Sequence, residues 1–314
     1  MLGYYWETSL LFCNIYCSVP VTCRPYLIHW PPLIAIAYVS LFRRLTMTQS
    51  YDPQTAANIP QTATMTPSAL AQWCDDYLQA DAFKDYCPNG LQVDADAPIH
   101  KIVTGVTATQ NLIDAAISEQ ADAILVHHGY FWKGEDQPLV GMKGKRIRSL
   151  LQNNISLLAY HLPLDAHPVI GNNATLAQLL SLEITGALYP EDNYPVGNIA
   201  QCEPTAIEDF IARVTTQLQR TPTHIAAGNK LITKVGLCTG GAQDMIEQAA
   251  KMGCQLYISG EISERTTHAA RELGIDYLAC GHHATEQGGI KALGELIVQT
   301  HGVQVRFIDD PNPA

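Results

Sequence analysis

Two adjacent histidines close an apolar segment near the middle of the chain. His127 and His128 stand in the stretch LVHHGYFWKG, and the residues before them have the character of a buried strand. Successive residues of a regular strand point to opposite faces, so two such imidazoles cannot share one ligand. At the end of a strand, where Gly129 allows a bend, they can diverge toward two ligands instead.

A second polar cluster follows a predicted helix, GKRIRSLLQN, and a predicted strand, ISLLAY. In the stretch YHLPLDAHP, residues 160–168, Asp165 lies between His161 and His167, and two prolines stiffen the loop. This cluster therefore also lies just past the end of a strand.

The third cluster is CGHHATEQGG, in which a helix is expected to begin after Gly281. A continuous helix places His282 and Glu286 four residues apart on one face, which is a common way for one helix to offer two ligands to a metal. His283 then points about 100° away on the helical period and is not counted as a ligand.

Each cluster also has a purely structural interpretation, since a histidine beside a strand is commonly a hydrogen-bonding residue and Asp165 could cap a turn. Together the three clusters favour a metal site, because they concentrate His, Asp and Glu although the whole chain has only 11 histidines. Side chains at the ends of strands can also converge on one point, which side chains on distant helix faces cannot. Imidazole and carboxylate ligands without cysteine suit Zn, Fe, Mn, Co or Ni. A carboxylate can also bridge two ions, so a dinuclear centre is possible.

Two segments of similar pattern position these clusters. The stretch KIVTGVTATQNLIDAAISEQADAILVHHG aligns without a gap on KVGLCTGGAQDMIEQAAKMGCQLYISGEI, at the offset from Lys101 to Lys234. Each copy reads as strand, turn, helix and strand, although any two such units align loosely, so duplication and a generic pattern both remain open. Ligands bind outside the carboxyl ends of strands in open α/β sheets, which favours a site between two lobes.

The predicted fold class is therefore α/β, with two pseudo-repeated α/β lobes and a metal site in the cleft between them. The predicted domains are a first lobe over 67–185, a second lobe over 186–280, and a C-terminal helix and strand over 281–314 that complete the cleft. Residues 1–66 form an atypical extension, expected to be disordered or not native, since 1–46 are aromatic-rich and almost uncharged. We expect the biological chain to start at Met47 or Met65.

Composition narrows the class of partner. The formal net charge is −11, with 30 acidic against 19 basic residues, which disfavours nucleic acid bound through its phosphates. The 9 cysteines include no zinc-type pair and predict reduced thiols in a cytoplasmic protein. The apolar N-terminal stretch is too short to span a membrane, so no membrane association is expected.

Five motifs in order resemble one family. They are NGLQV at 89–93, VHHGYFWKGE at 126–135, HLPLDAHP at 161–168, NNATLAQLL at 172–180 and GHHATEQGG at 281–289. Together they are similar to the NIF3-like dinuclear metal centre proteins, also labelled type 2 GTP cyclohydrolase homologues, over about 67–310. The resemblance implies two α/β lobes, two divalent ions in the cleft and a toroidal homo-hexamer.

The resemblance also implies a ligand set. Position by position, His127 and His282 would bind one ion, His128 and Asp165 the other, and Glu286 would bridge both.

The function that follows is metal-dependent hydrolysis of a nucleotide or related small molecule. Candidates for supporting or acid–base roles are His161, His167, Tyr130 and Glu261, although loop bracing by the first two and packing by Tyr130 are alternatives. Two other functions stay open: a non-catalytic, hexameric metal-binding or regulatory assembly, and a metal-dependent phosphoesterase or nuclease. The stretch TGGAQDM at 239–245 and Lys133 could contact an anion, although a strand-to-helix turn and an exposed, solvated lysine are the simpler interpretations.

Overall fold

The structure, a computed structural model, describes residues 64–314. The predictions for the N-terminal extension thus fall almost entirely outside the described residues. Within the described range, no helix combines the length and the apolar character that a bilayer crossing requires.

The first half of the described chain alternates strands and helices. In chain order its elements are α1 (Pro67–Leu78), β1 (Gly90–Val93), β2 (Lys101–Thr107), α2 (Gln110–Ser118), β3 (Ala123–His128), α3 (Gly141–Gln152), β4 (Ser156–Ala159), α4 (Leu162–Ala166) and α5 (Asn172–Leu179). Helix α1 begins where the sequence predicts, because the Thr66 hydroxyl accepts from the Ala69 amide at 3.1 Å.

The second half supplies another sheet and the C-terminal elements. These are β5 (Glu183–Ala187), β6 (Asn198–Ala206), α6 (Ile207–Leu218), β7 (Thr223–Ile225), β8 (Leu231–Leu237), α7 (Ile246–Lys251), β9 (Leu256–Ser259), α8 (Glu264–Leu273), β10 (Asp276–Ala279), α9 (His282–Thr285), α10 (Gln287–His301) and β11 (Gln304–Phe307). A 3-10 turn, Gln243–Met245, precedes α7.

The strands form two mixed sheets. The first has the order β1-β4-β3-β2-β11, in which only β1 is antiparallel to its neighbour. The second has the order β5-β6-β8-β9-β10-β7, with β8, β9 and β10 parallel. Both predicted strand-helix-strand units are present, as β2-α2-β3 and β8-α7-β9, and the α/β class with two lobes is confirmed. The predicted boundary at 185/186 falls inside β5, which pairs with β6 of the second sheet. The predicted domain boundaries stay predictions.

Helices cover both faces of each sheet. On the first sheet, α1 and α10 bury Leu70 and Leu293 on one face, while α2 and α3 bury Leu112 and Leu150 on the other. On the second sheet, α5 and α6 pack on one face and α7 and α8 on the other. Burial on both faces explains why the parallel strands read as nearly continuous apolar runs.

The C-terminal elements connect the two sheets. Helices α9 and α10 leave the end of β10 in the second sheet, and β11 then pairs in parallel with β2 in the first, from Gln304 opposite Lys101 to Phe307 opposite Thr104. The residues of α9 are thereby carried to the carboxyl end of β3, where His127 and His128 lie.

Candidate metal centre

The histidine pair ends β3 with both rings turned toward one carboxylate. His127 is buried, and its Nδ1 donates to the Tyr160 carbonyl at 2.8 Å, which leaves Nε2 3.5 Å from Glu286 Oε1. His128 Nδ1 is hydrogen-bonded with the Thr107 hydroxyl at 3.1 Å, and its Nε2 lies 3.3 Å from Glu286 Oε2. The strand ends here, so the alternation of a regular strand no longer separates the rings, whose centroids are 4.4 Å apart.

The second sheet contributes His282 and Glu286. His282 Nε2 is 3.1 Å from Glu286 Oε2, and its Nδ1 donates to Glu261 Oε1 at 2.7 Å. The prediction of one continuous helix is wrong, since α9 ends at Thr285 and α10 begins at Gln287. Glu286 stands at the break, with φ −110° and ψ 13°, and its side chain is 3% exposed. The four-residue spacing still brings the two side chains together.

Asp165 completes the cluster from α4. Its Oδ1 lies 3.5 Å from His127 Nε2 and accepts hydrogen bonds from Asn172 Nδ2 at 2.8 Å and from the Thr239 hydroxyl at 3.3 Å. Asn172 also accepts from the Gly289 amide of α10 at 2.8 Å. These bonds fix one face of the carboxylate and tie the loop of the first lobe to the C-terminal helix.

The five side chains fall into two groups that share Glu286. His127, Asp165 and Glu286 offer ligand atoms within 4.8 Å of one another, and so do His128, His282 and Glu286. This grouping differs from the one implied by the resemblance, which paired His127 with His282 and His128 with Asp165, and the pairing of ligands with ions stays a prediction. The geometry separates the pairs because His127 lies beside α4 of its own lobe, whereas His128 faces α9.

The cluster is chemically suited to cations. In residues 64–314, His127 Nε2 and Glu286 Oε2 are among the few buried side-chain atoms that make no well-formed hydrogen bond, although each faces groups of opposite charge. Buried polar atoms of this kind are normally satisfied, and a bound ion satisfies both. The donor set of three imidazoles and two carboxylates matches the predicted transition metals.

The pKa shifts of the cluster residues also indicate that the site favours positive charge. Burial opposes protonation of His127, but the carboxylates of Asp165 and Glu286 raise its pKa to about 9. Burial and the neighbouring His127 hold the pKa of His128 well below 6.5. Burial would raise the pKa of Glu286, yet His127 and His282 lower it far below its usual range, so the carboxylate stays charged. The carboxylates of the cluster therefore favour positive charge at this site.

Comparisons with known proteins show the family to which the chain belongs. The family model described as Duf34/NIF3 (NGG1p interacting factor 3) matches residues 65–313. The chain belongs to the DUF34/NIF3 family. A relative from Vibrio cholerae, named GTP cyclohydrolase 1 type 2 homolog, is 54% identical over 243 residues, which cover 76% of this chain and 96% of the relative. A Pseudomonas aeruginosa protein of the same name is 49% identical over 250 residues, 79% and 98% of the two chains.

Solved structures agree with the NIF3 fold. The structure of protein ybgI is 44% identical, with a TM-score of 0.77, and the match covers 80% of this chain and all 100% of that one. A protein from Thermus thermophilus is 29% identical, with a TM-score of 0.72 and coverage of 80% and 100%. The family resemblance of the five motifs is therefore confirmed.

Among the supporting residues expected in this NIF3-family chain, His161 and Glu261 reach the cluster. Glu261 accepts the hydrogen bond from His282 Nδ1 and so orients that ring. A ring nitrogen of His161 lies within 4.8 Å of nitrogens of His127 and His128, and its Nδ1 donates to Asp85 Oδ1 at 2.7 Å.

His167 and Tyr130 serve the packing. The His167 ring stacks on Tyr77 with centroids 5.0 Å apart, and its Nδ1 accepts from the amides of Val169 and Ile170. The Tyr130 hydroxyl donates to the Ala108 carbonyl at 2.8 Å and is buried. These contacts fit the loop-bracing and packing roles, and an acid–base role for either residue stays a prediction.

Two backbone amides of the predicted anion-binding turn already have hydrogen-bond partners. The Thr239 amide donates to Asn173 Oδ1 at 2.9 Å, and the Gly240 amide donates to the Thr285 hydroxyl at 3.1 Å, so neither amide is free for a phosphate. Lys133 is exposed, as expected of a solvated lysine.

Sequence reasoning does not single out Asp85. Burial would raise the pKa of its carboxyl, but hydrogen bonds from His161, Asn89 and the Tyr86 amide hold it below its usual range. Asp85 stands four residues before the NGLQV motif, in a stretch without helical or strand periodicity. Only its proximity to that motif could have drawn attention to it.

The neighbouring histidines His282 and His283 provide a test of the ligand set. We expect His282→Gln to lower metal affinity by about tenfold or more, the scale on which even supporting groups act. His283→Gln should leave metal content unchanged, because His283 Nε2 points to Asp309 Oδ1 at 2.8 Å. Calorimetric titration of both variants with Zn²⁺ makes the comparison, and equal losses would remove His282 from the centre.

Proposed function

We propose that this chain binds two divalent ions, one in each of the two ligand groups, and hydrolyses a nucleotide or related small molecule. One observation carries the proposal: the buried carboxylate of Glu286 is shared by both groups and has an oxygen facing each. The relatives named GTP cyclohydrolase 1 type 2 homolog support a nucleotide as the substrate class. The metal is expected among Zn, Fe, Mn, Co and Ni.

Hydrogen bonds within the chain orient two of the imidazole ligands. Nδ1 of His127 donates to a backbone carbonyl and Nδ1 of His282 donates to Glu261, so each Nε2 keeps its lone pair for a cation once its proton is displaced. Two ions held by these residues would supply Lewis acidity and lower the pKa of a bound water. The chain itself fixes the ligands and screens the site, since Glu286 and His127 are buried.

His161 is placed to move a proton beside the centre. The Asp85 carboxylate accepts from its Nδ1, and the Leu162 amide and Asn89 hold that carboxylate from other sides. This arrangement leaves the other ring nitrogen to exchange a proton with substrate, the arrangement found where histidine acts as acid or base.

We therefore expect His161→Gln to lower turnover by about 10²- to 10⁴-fold, the usual contribution of a positioned acid or base. Metal content should stay at the wild-type level, and one limb of the pH profile of kcat should disappear. Asp85→Asn should lower turnover less than His161→Gln does, because the imidazole remains. A His161→Gln protein that keeps the wild-type pH profile would contradict the role.

The experiment that tests the proposal is metal analysis by plasma mass spectrometry, on protein purified without chelator or nickel resin. We expect about two ions per chain, as a dinuclear site requires, followed by screening of nucleotides for hydrolysis. Near-zero content after reconstitution with Zn²⁺, Mn²⁺ and Fe²⁺ would overturn the proposal. Two ions without turnover of any small molecule would support the metal-binding assembly, and turnover confined to phosphodiesters would support the phosphoesterase.

We propose a homo-hexamer as the assembly and the cytoplasm as the compartment. The free thiols of the described residues support a reducing environment: Cys74, Cys87, Cys202, Cys238, Cys254 and Cys280. Light scattering coupled to gel filtration measures the assembly directly.

A further inference from the structure

Two aromatic side chains stand beside the candidate metal centre and have no part in the ligand set. The Trp132 ring lies 5.0 Å from the His161 ring and 5.9 Å from the His128 ring, measured between centroids. The Tyr86 ring lies 6.3 Å from His161. Tyr86 is 61% exposed and Trp132 is half-buried, so both present apolar surface to solvent next to a polar cluster.

The loop that carries Trp132 is held in a costly conformation. Phe131 has a φ of +66°, a left-handed conformation that side chains with a Cβ rarely adopt and that bulky residues adopt least. The Glu135 carboxylate stabilises it by accepting from the Phe131 amide at 3.0 Å and from the Trp132 amide at 3.2 Å. The indole N–H also donates to the Gly129 carbonyl at 3.2 Å, which fixes the ring itself. Strain maintained by specific bonds beside a candidate site indicates that the position of Trp132 matters.

The loop that carries Tyr86 is joined to the Trp132 loop. The Lys133 amide donates to the Tyr86 carbonyl at 2.6 Å. Gln92 accepts from the Tyr130 amide at 2.7 Å and donates to the Pro88 carbonyl at 2.8 Å, so it links both loops a second time. The backbone segments that carry the two aromatic residues are thereby joined to each other beside His161.

We propose that Trp132 and Tyr86 form a ring-binding subsite that recognises a planar heteroaromatic group of the substrate and presents it to the metal centre. The inference rests on the proposed function and specifies its substrate class. An indole and a phenol offer π faces to any heterocyclic base, and stacking of this kind is tolerant of the base's identity. His161 contacts both rings and lies within reach of His127 and His128, so a group stacked there would lie beside the centre.

The test separates the contribution of the ring from that of the phosphates by using two probes, GTP and inorganic triphosphate, mixed rapidly with zinc-loaded full-length protein so that binding is measured before any turnover. Trp132→Ala should weaken GTP binding about tenfold and leave triphosphate binding unchanged, since loss of one stacking partner costs about 1–3 kcal/mol. Trp132→Phe and Tyr86→Phe should bind GTP within about threefold of wild type because both keep a π face. GTP should quench the intrinsic fluorescence of wild-type protein and of Trp73→Phe, but that quenching should be absent from Trp132→Phe.

Several results would overturn the subsite. One is the finding that wild-type protein binds GTP no more tightly than triphosphate. Another is the finding that Trp132→Ala protein binds GTP as tightly as wild-type protein does. A third is equal weakening of both probes, because Trp132 would then act through the metal ligands. Ring-dependent binding without hydrolysis of any nucleotide would uphold the subsite while refuting the hydrolase. Hydrolysis of GTP with a KM unaffected by Trp132→Ala would uphold the hydrolase and refute the subsite.

Discussion

Glu286→Gln protein should retain its fold and lose most of its bound metal. The substitution preserves size but removes the single negative charge that both ligand groups share, and Glu286 lies 3.5 Å from His127 Nε2 and 3.1 Å from His282 Nε2. We expect affinity for both ions to fall by more than about a hundredfold, beyond the loss caused by removing supporting groups. Plasma mass spectrometry and Zn²⁺ titration measure the loss, and circular dichroism checks the fold.

The matched control is Glu264→Gln, which removes the same charge from a side chain that is 94% exposed on α8. That variant should keep full metal content, since an exposed carboxylate makes only weak, screened interactions. Full occupancy in Glu286→Gln would contradict the bridging role. Loss of one ion with retention of the other would show that Glu286 serves a single group.

Local sequence patterns determine much of this fold. Thr66 caps α1 because its hydroxyl satisfies a first-turn amide, and β2 and β3 are apolar because helices cover both faces of the first sheet. The five proposed ligands are recognisable because histidine and carboxylate concentrate at strand ends. These features depend on neighbouring residues, which are visible in the sequence.

The remaining features depend on contacts between distant segments. Strand β11 pairs with β2 of the first sheet across about two thirds of the chain, from Gln304 to Lys101, and no local period encodes that choice. The grouping of ligands depends on the same long-range connection between the two sheets, because that connection places His282 beside His128 rather than beside His127. The break at Glu286 is likewise not marked at its own position, because glutamate and the following Gln287 are good helix formers.

Asp85 and Gly240 show the same limit at single residues. Asp85 acts on His161, 76 positions away, through a hydrogen bond that the sequence does not reveal. The sequence suggests an anion-binding turn around Gly240, but the structure places this glycine against Glu286. A Cβ built on Gly240 would lie 2.0 Å from Glu286 Oε1 and 3.1 Å from His282 Nε2.

Gly240→Ala should therefore damage the metal centre from outside the ligand set. The nearest atom to the new methyl group is the end of a flexible side chain, so the carboxylate can move aside and the fold can survive. That movement takes Glu286 away from one ligand group, and we expect metal affinity to fall by at least about tenfold. Gly240 also has a φ of +68°, so alanine there should cost about 1–2 kcal/mol of unfolding free energy by itself.

Gly253→Ala separates these two effects. Gly253 has a φ of +75°, and a Cβ on it would meet no atom within 4 Å. Both variants should lose similar stability when metal-free, by chemical denaturation. Zinc at about a hundred times the wild-type Kd should stabilise wild-type and Gly253→Ala protein by about 2.7 kcal/mol for each ion bound, and Gly240→Ala protein by much less. Equal stabilisation of all three would show that Glu286 accommodates the methyl group without leaving the ions, and that contact with Gly240 does not fix the position of the bridging carboxylate.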